Sequence, residues 1–297
     1  MIKTKTCAIV VTYNRLVLLK EVVEALLKVD DNLDKIIVIN NASTDDTENY
    51  LNNISVSNSK VEQYLMSENL GGAGGFYTGL KYAFEQGYDY MWLMDDDSIV
   101  TPSSLDYLKE AFEKVDNVGY SCSKVVWTDN KPHVMNIPEV SSKNDNGVAF
   151  FEDKGFINVN SCSFVSMLIH RETIKNVGLP YKDFFIWGDD LEYSKRIIKH
   201  GYKGLFCEKS LVIHKTAENY SANIQYCKKT EFWKIEYGIR NRTFMYKSFK
   251  DYKYIVLYFL LNIYRSLKRK NNKFRALYLV LSSSFKGLFF KPKKQMV

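Results

Sequence analysis

Continuous apolar runs alternate with helical periodicity over the first two thirds of the chain. Cys7-Ala8-Ile9-Val10-Val11-Thr12 is unbroken and rich in β-branched residues, which predicts a strand buried on both faces. After the loop Tyr13-Asn14-Arg15, residues Leu16, Leu19, Val22, Val23 and Leu26 recur at helical spacing. Lys35-Ile36-Ile37-Val38-Ile39-Asn40 predicts a second buried strand. It runs into Asn41-Ala42-Ser43-Thr44-Asp45-Asp46-Thr47, a stretch rich in helix N-cap residues. Strand, helix, strand with short polar turns is a right-handed βαβ unit, hence a parallel sheet. Val61 to Leu65 adds a third short strand.

Asn69-Leu70-Gly71-Gly72-Ala73-Gly74-Gly75-Phe76 then interrupts the pattern. Such a glycine density lets the backbone approach a ligand closely, or simply makes a flexible connection. The helix after it is expected to open at about Phe76, with free N–H groups able to face an anion. The Gly-Lys-Ser/Thr ending of a P-loop is absent. Tyr90-Met91-Trp92-Leu93-Met94 is a central buried strand that ends abruptly in Asp95-Asp96-Asp97. If the chain stays extended, Asp95 and Asp97 point to one side and Asp96 to the other. Two carboxylates on one side suit a hard divalent cation, Mg²⁺ or Mn²⁺; a solvated acidic loop is the plainer reading.

Pro102 opens a helix through Leu105, Leu108 and Phe112, and Val118 to Trp127 predicts a strand. From Thr128 to Asp153 the pattern dissolves into a loop region, with a hairpin, able to close over a site. Phe156 to Ile169 reads as a strand entering a small-residue turn. A second acidic landmark follows an aromatic run: Phe184-Phe185-Ile186-Trp187-Gly188-Asp189-Asp190-Leu191-Glu192. Helical periodicity begins here, so the acids sit at a helix N-terminus, where the dipole favours them. The same placement beside apolar rings suits a general base, and the sequence leaves cap and base open. Leu205-Phe206 and Leu211-Val212-Ile213-His214 look like two short strands. His214 is a lone histidine at the end of an apolar run, structural or, with two carboxylates nearby, a third metal ligand.

Composition changes the picture in two respects. The cysteines (Cys7, Cys122, Cys162, Cys207, Cys227) are five, scattered and without metal-ligand spacing, which suggests reduced thiols in a cytosol-facing protein. A strand begins almost at once, so no signal peptide is expected. The net charge of +7 is uneven: residues 247–297 carry +12 and the remainder −5. A basic tail on a weakly acidic body suggests an anionic partner.

These motifs, in this order, resemble family 2 glycosyltransferases of the GT-A fold. The carriers are Val10-Val11-Thr12-Tyr13-Asn14-Arg15, Asn41-Ala42-Ser43-Thr44-Asp45, Asp95-Asp96-Asp97 as the DxD element, Asp189-Asp190-Leu191-Glu192, and His214. The resemblance covers roughly residues 6 to 220. It implies an α/β GT-A domain over 1–220, with a nucleotide-binding half to about 100 and an acceptor half beyond, followed by a basic helical region over 221–297. The glycine element resembles bacterial galactofuranosyltransferases; the Phe-Ile-Trp-Gly-Asp-Asp-x-Glu-Tyr pattern is shared with rhamnosyltransferases.

The reaction this implies is inverting transfer from a nucleotide-diphosphate sugar, preferably UDP-galactofuranose and alternatively dTDP-rhamnose, onto a lipid-linked or cell-surface glycan. Asp95, Asp97 and His214 would hold Mn²⁺ or Mg²⁺, with Asp190 as base and Asp189 or Glu192 positioning it. Thr12, Asn14, Arg15, Asn40, Asn41, Asp45, Gly71, Gly72, Gly74, Asp95 and Asp96 would line the donor site, and Trp187 and Gly188 the acceptor site. Asn40 departs from the Asp common in the family at the uracil contact, which alters its donors and acceptors.

Tyr237-Gly238-Ile239-Arg240-Asn241 resembles a Tyr-x-x-Arg-Asn element that follows many such domains. Beyond it, Tyr254 to Tyr264 is apolar, too short to span a bilayer and flanked by Lys and Arg. That suits a helix lying on an anionic membrane, which would place the protein at the inner face of a bacterial cell membrane. A core helix or a tail forming a homo-oligomer is the plainer alternative. No nucleic-acid-binding module is recognisable. A rival of another class is a catalytically silent glycan- or nucleotide-binding subunit, which would have no need of the full set of carboxylates.

Overall fold

The computed structural model describes residues 4–29, 32–141, 155–220 and 223–297. The first half alternates as the hydrophobic pattern requires: β1 (Thr6–Thr12), α1 (Leu16–Leu26), β2 (Lys35–Asn40), α2 (Thr47–Ser57), β3 (Val61–Leu65), α3 (Gly71–Glu85) and β4 (Tyr90–Asp95). Then come β5 (Ser98–Val100), α4 (Ser104–Lys114), β6 (Val118–Val126), β7 (Glu139–Val140), β8 (Ile157–Ser161) and β9 (Met167–His170). The chain continues through α5 (Arg171–Val177), α6 (Asp189–Lys199), β10 (Lys203–His214), α7 (Phe232–Ser248), α8 (Tyr252–Leu267) and α9 (Lys273–Phe289).

Among the described residues the strands form one mixed sheet in the order β3-β2-β1-β4-β9-β6-β10-β8-β7, with β5 also on β10. β1 is parallel to β2 and β4, and β6 is parallel to β10, while β9 runs against β4 and β6. Both faces of the central strands are covered. Ala8, Val10, Ile36, Val38, Trp92 and Met94 join the core under α1 and α4. Cys7, Ile9, Ile37, Ile39, Met91 and Leu93 join the core under α3 and α6. This two-sided burial is why these strands read as unbroken apolar runs.

Three expectations change. The glycine stretch is helical, and α3 opens at Gly71 rather than near Phe76. A Cβ on Gly75 would lie 2.4 Å from a Val11 methyl, and one on Gly79 would lie 2.4 Å from an Ile9 methyl. Glycine is a poor helix former, but here it lets the helix rest directly on β1, and that close packing overrides propensity. The two short strands near 205 and 211 are one strand, β10, whose register shifts between Cys207 and Leu211. An irregularity of that kind breaks the apolar pattern without ending the strand. The expected strand over 156–169 is two, β8 and β9, on either side of a turn. Of the loop region over 128–153, β7 pairs with β8, and residues 142–154 lie outside those described.

α7 and α9 pack together with α8 through a third core of Ile224, Phe232, Ile235, Ile239, Ala276, Leu279 and Val280. The chain end folds back, with the Leu179 N–H donating to the Gln295 carbonyl at 2.9 Å.

A candidate active site at the ends of the central strands

Asp95 is the last residue of β4, and Asp96 and Asp97 make the turn into β5. β5 pairs antiparallel with the end of β10, Ser98 opposite His214. That register carries His214 to the carboxylates. Ligand atoms of Asp95, Asp97 and His214 all lie within 4.8 Å of one another. Asp96 goes elsewhere: its carboxylate accepts from Thr12 Oγ1 at 2.8 Å and from Arg15 Nη1 at 2.9 Å.

The donor chemistry of the three fits a cation. His214 Nδ1 is 2.8 Å from Asn136 Oδ1, whose own amide nitrogen donates to Ser163. Asn136 therefore offers an acceptor, the proton sits on Nδ1, and Nε2 presents its lone pair. Nε2 is 3.0 Å from Asp97 Oδ1, and that buried oxygen receives no aligned hydrogen bond among the described residues. Two lone pairs so close call for positive charge between them, either a metal ion or a proton on the imidazole. Burial, the Asp97 charge beside it and the weaker opposing pull of His214 push Asp95 up to about 7. Asp97 is held below its ordinary value: burial raises it, but His214 and Arg15, 2.7 Å away, outweigh that. His133, with its ring 4.5 Å from that of His214, is driven down to about 4, first by burial and then by that neighbour. Sequence reading passed over Asn136, Ser163 and His133, which lie in segments without periodicity.

The residues expected around a nucleotide divide into two groups. Thr12 and Arg15 hold the second and third aspartates. Asn14, at φ 54°, ties its loop to the next one: its Oδ1 accepts from the N–H of Thr44 at 2.6 Å and of Asp45 at 3.3 Å. Asn41 accepts from the Leu70 N–H and donates to the Gly71 carbonyl, which fixes the start of α3. Asp45 accepts from the N–H of Thr47 and of Leu16. Asn40, fully buried, accepts from the Ser43 N–H, while its Nδ2 has no partner among the described residues. A buried donor left open is costly. At the head of α3, Gly71 has φ +71°, and a Cβ there would strike the Phe185 carbonyl at 2.0 Å. The N–H groups of Gly71 and Ala73 already donate, to Asn69 Oδ1 and to the Phe185 carbonyl. A Cβ on Gly72 would meet open space, and one on Gly74 would meet Leu70.

The second acidic cluster sits on a contorted loop. Phe185, Trp187 and Gly188 all have positive φ, at 64°, 61° and 89°. Two aromatic residues in that region store strain that something must hold. Asn241 of α7 does so: its amide nitrogen lies 3.0, 3.1 and 2.8 Å from the carbonyls of Phe184, Ile186 and Trp187. Arg240 donates to the carbonyls of Asp183 and Phe184. The loop delivers Asp189 and Asp190 to the first turn of α6.

Burial, then the Asp190 and Asp95 charges, raise Asp189 well above the carboxylate range; that second influence joins this cluster to the first. Burial lifts Asp190 to about 6, against the Leu191 N–H and the Arg242 charge. Glu192 is buried against Arg196, with Nε–Oε1 2.9 Å, and Arg196 also donates to the carbonyls of Val177 and Leu179. That pairing gives Glu192 a structural task in α6.

The model of the family described as Glycosyl transferase family 2 matches residues 7–178. Galactofuranosyltransferase GlfT1 of Mycolicibacterium smegmatis is 26% identical over 224 residues, covering 70% of this chain and 70% of its own. GlfT1 of Mycobacterium tuberculosis is 28% identical over 226 residues, covering 70% and 69%. Among solved structures, GalNAc-T7 with UDP, GalNAc and Mn²⁺ superposes with a TM-score of 0.61 at 15% identity. The match covers 83% of this chain, which spans about half of that one (48%). Mannosyltransferase PcManGT from Pyrobaculum calidifontis, with GDP-Man and Mn²⁺, gives 0.59 at 17% identity, covering 95% and 74%. The fold is thus GT-A-like, a mixed sheet with flanking helices.

Proposed function

Because the chain belongs to glycosyl transferase family 2 and is a glycosyltransferase, we propose that it is an inverting, metal-dependent galactofuranosyltransferase. UDP-galactofuranose is the proposed donor and a hydroxyl of a lipid-linked glycan the acceptor. The observation that carries this reading is the meeting of Asp95, Asp97 and His214 at one point, electrostatically linked through Asp189 to the acid loop. The likeness to the two GlfT1 proteins supports the choice of donor. A Mn²⁺ or Mg²⁺ ion held by Asp95, Asp97 and His214 would supply positive charge to the leaving diphosphate.

The chain's own residues do the rest. Arg15 and Thr12 fix Asp96 and Asp97, so the cation ligands are set before substrate arrives. Asn14, Asn40, Asn41 and Asp45 hold the loops that would surround the nucleotide. Asp190, ionised above pH about 6, takes the proton of the acceptor hydroxyl. That oxygen bonds to the anomeric carbon as the bond from that carbon to the diphosphate oxygen breaks on the opposite face, inverting the configuration. Asp189, raised by burial and by the Asp190 charge, positions the base. Trp187 and Gly188 border the acceptor.

Exposed apolar residues on α8 (Leu257, Leu260, Tyr264, Leu267) and α9 (Phe274, Tyr278, Leu281, Phe285) form stripes among basic residues. Among the described residues no helix is long and apolar enough to cross a membrane. These stripes support docking on an anionic membrane face, where a lipid-linked acceptor would be found. The test offers purified protein UDP-galactofuranose and dTDP-rhamnose, each with Mn²⁺ and an octyl glycoside acceptor. Metal-dependent transfer or hydrolysis of the uridine donor is expected. Turnover of the thymidine donor alone would replace the galactofuranose assignment, and turnover of neither would remove the reading.

A further inference from the structure

α6 and α7 lie alongside each other in the same direction: Gly188 meets Asn241 at one end, and Lys199 lies over the Phe249 ring at the other. Between them is a cavity of about 330 Å³, also bordered by Glu139 of β7, Asn160 of β8 and Tyr254 of α8. That volume is within the roughly 300–1,000 Å³ of small-molecule sites. We propose that this cavity seats the acceptor's carbohydrate; the inference rests on the assignment of Asp190 as the base and extends it to the substrate's other end.

Chemistry selects the ligand class. Tyr246, Phe249 and Tyr254 offer aromatic faces, which suit the C–H faces of a sugar ring. The charged lining is largely paired: Lys195 with Glu139 at 2.7 Å and Lys199 with Asp251 at 3.9 Å. Paired ammonium and carboxylate groups present donors and acceptors together without demanding a charged guest, the mixture sugar hydroxyls need. The unpaired charge is Arg242. Among the described residues its one side-chain hydrogen bond runs from Nε to the Tyr246 hydroxyl at 3.2 Å, which leaves both Nη groups for a ligand oxygen. Arg242 also marks the end of the cavity nearer the base: its neighbour Asn241 meets Gly188, two residues before Asp190, and its charge is felt at Asp190. At the opposite end Tyr254 is 54% exposed and leads onto the apolar stripe of α8. A glycan lying along the groove therefore puts a hydroxyl near Asp190 and its lipid end toward that stripe.

Binding of octyl β-galactofuranoside and octyl α-rhamnoside, followed by saturation-transfer NMR, tests this on the full chain. Both side chains chosen for substitution are substantially exposed. Tyr254→Ala and Lys199→Ala should each weaken glycoside binding about tenfold, or about 1.4 kcal/mol, with thermal melting and UDP affinity as in the wild type. Binding of neither glycoside to the wild type, or unchanged binding to both variants, overturns the cavity assignment. Failure of the parent reading is seen separately, as the absence of any donor turnover. Glycoside binding that is lost in the variants would still assign the groove to a carbohydrate.

Discussion

A carboxylate must be ionised to take a proton, and burial has moved Asp190 to about 6, close to where it would work best. With Asp190 as base, kcat/KM falls as pH drops through about 6, tenfold per unit below it, and levels off above. A pH–rate profile measures this, and Asp190→Asn should remove the acidic limb while lowering kcat by ~10²–10⁴. Asn136 has a subtler part. It sets the His214 tautomer without being a ligand, so Asn136→Ala should weaken Mn²⁺ binding by ~10–100-fold in calorimetry. Asp95, Asp97 and His214 were legible in the sequence because each stands where an apolar run stops. Asn136 was not, because it sits in an aperiodic polar stretch and reaches His214 only through the fold. Glu192 was legible as an acid, while its Arg196 partner one helical turn on became visible only in the fold.

At the level of elements, α3 and α7 hold the two halves of the site. The α3 glycines read as a loop because helix propensity counts only the helix itself. Their reason is the strand beneath, at a distance no side chain allows. Gly75→Leu should therefore cost about 1–3 kcal/mol by overpacking and lower the melting temperature. The strands β1, β2 and β4 needed no such context, since two-sided burial writes itself into sequence as an unbroken run. α7 is the opposite case: Asn241 looked like part of a tail motif, and its partners are carbonyls of the acid loop. Asn241→Ala strands those carbonyls, a loss of about 1–3 kcal/mol. Steady-state kinetics should show kcat falling while donor KM holds, and Asn241→Asp, which keeps the size but loses the donor, should not restore it.

At the scale of the whole molecule, the last helices combine basic charge with exposed apolar residues. The stripes on α8 and α9 lie within residues 247–297, which carry +12. Co-sedimentation with phosphatidylglycerol vesicles is expected, weakening with salt as basic contacts worth about 1 kcal/mol each are screened. Phe285→Glu together with Leu260→Glu should abolish it and leave soluble-donor hydrolysis intact. The helix that α8 and α9 pack against, α7, holds the acid loop through Arg240 and Asn241. This arrangement sets an order on synthesis. A growing chain completes β1 to β4 early, as N-terminal units generally do, but the strained segment at 185–188 lacks its clamp until α7 has left the ribosome. Premature release or proteolysis just before α7 would thus yield a fragment in which the carbonyls of Phe184, Ile186 and Trp187 have lost the side chain that gathers them.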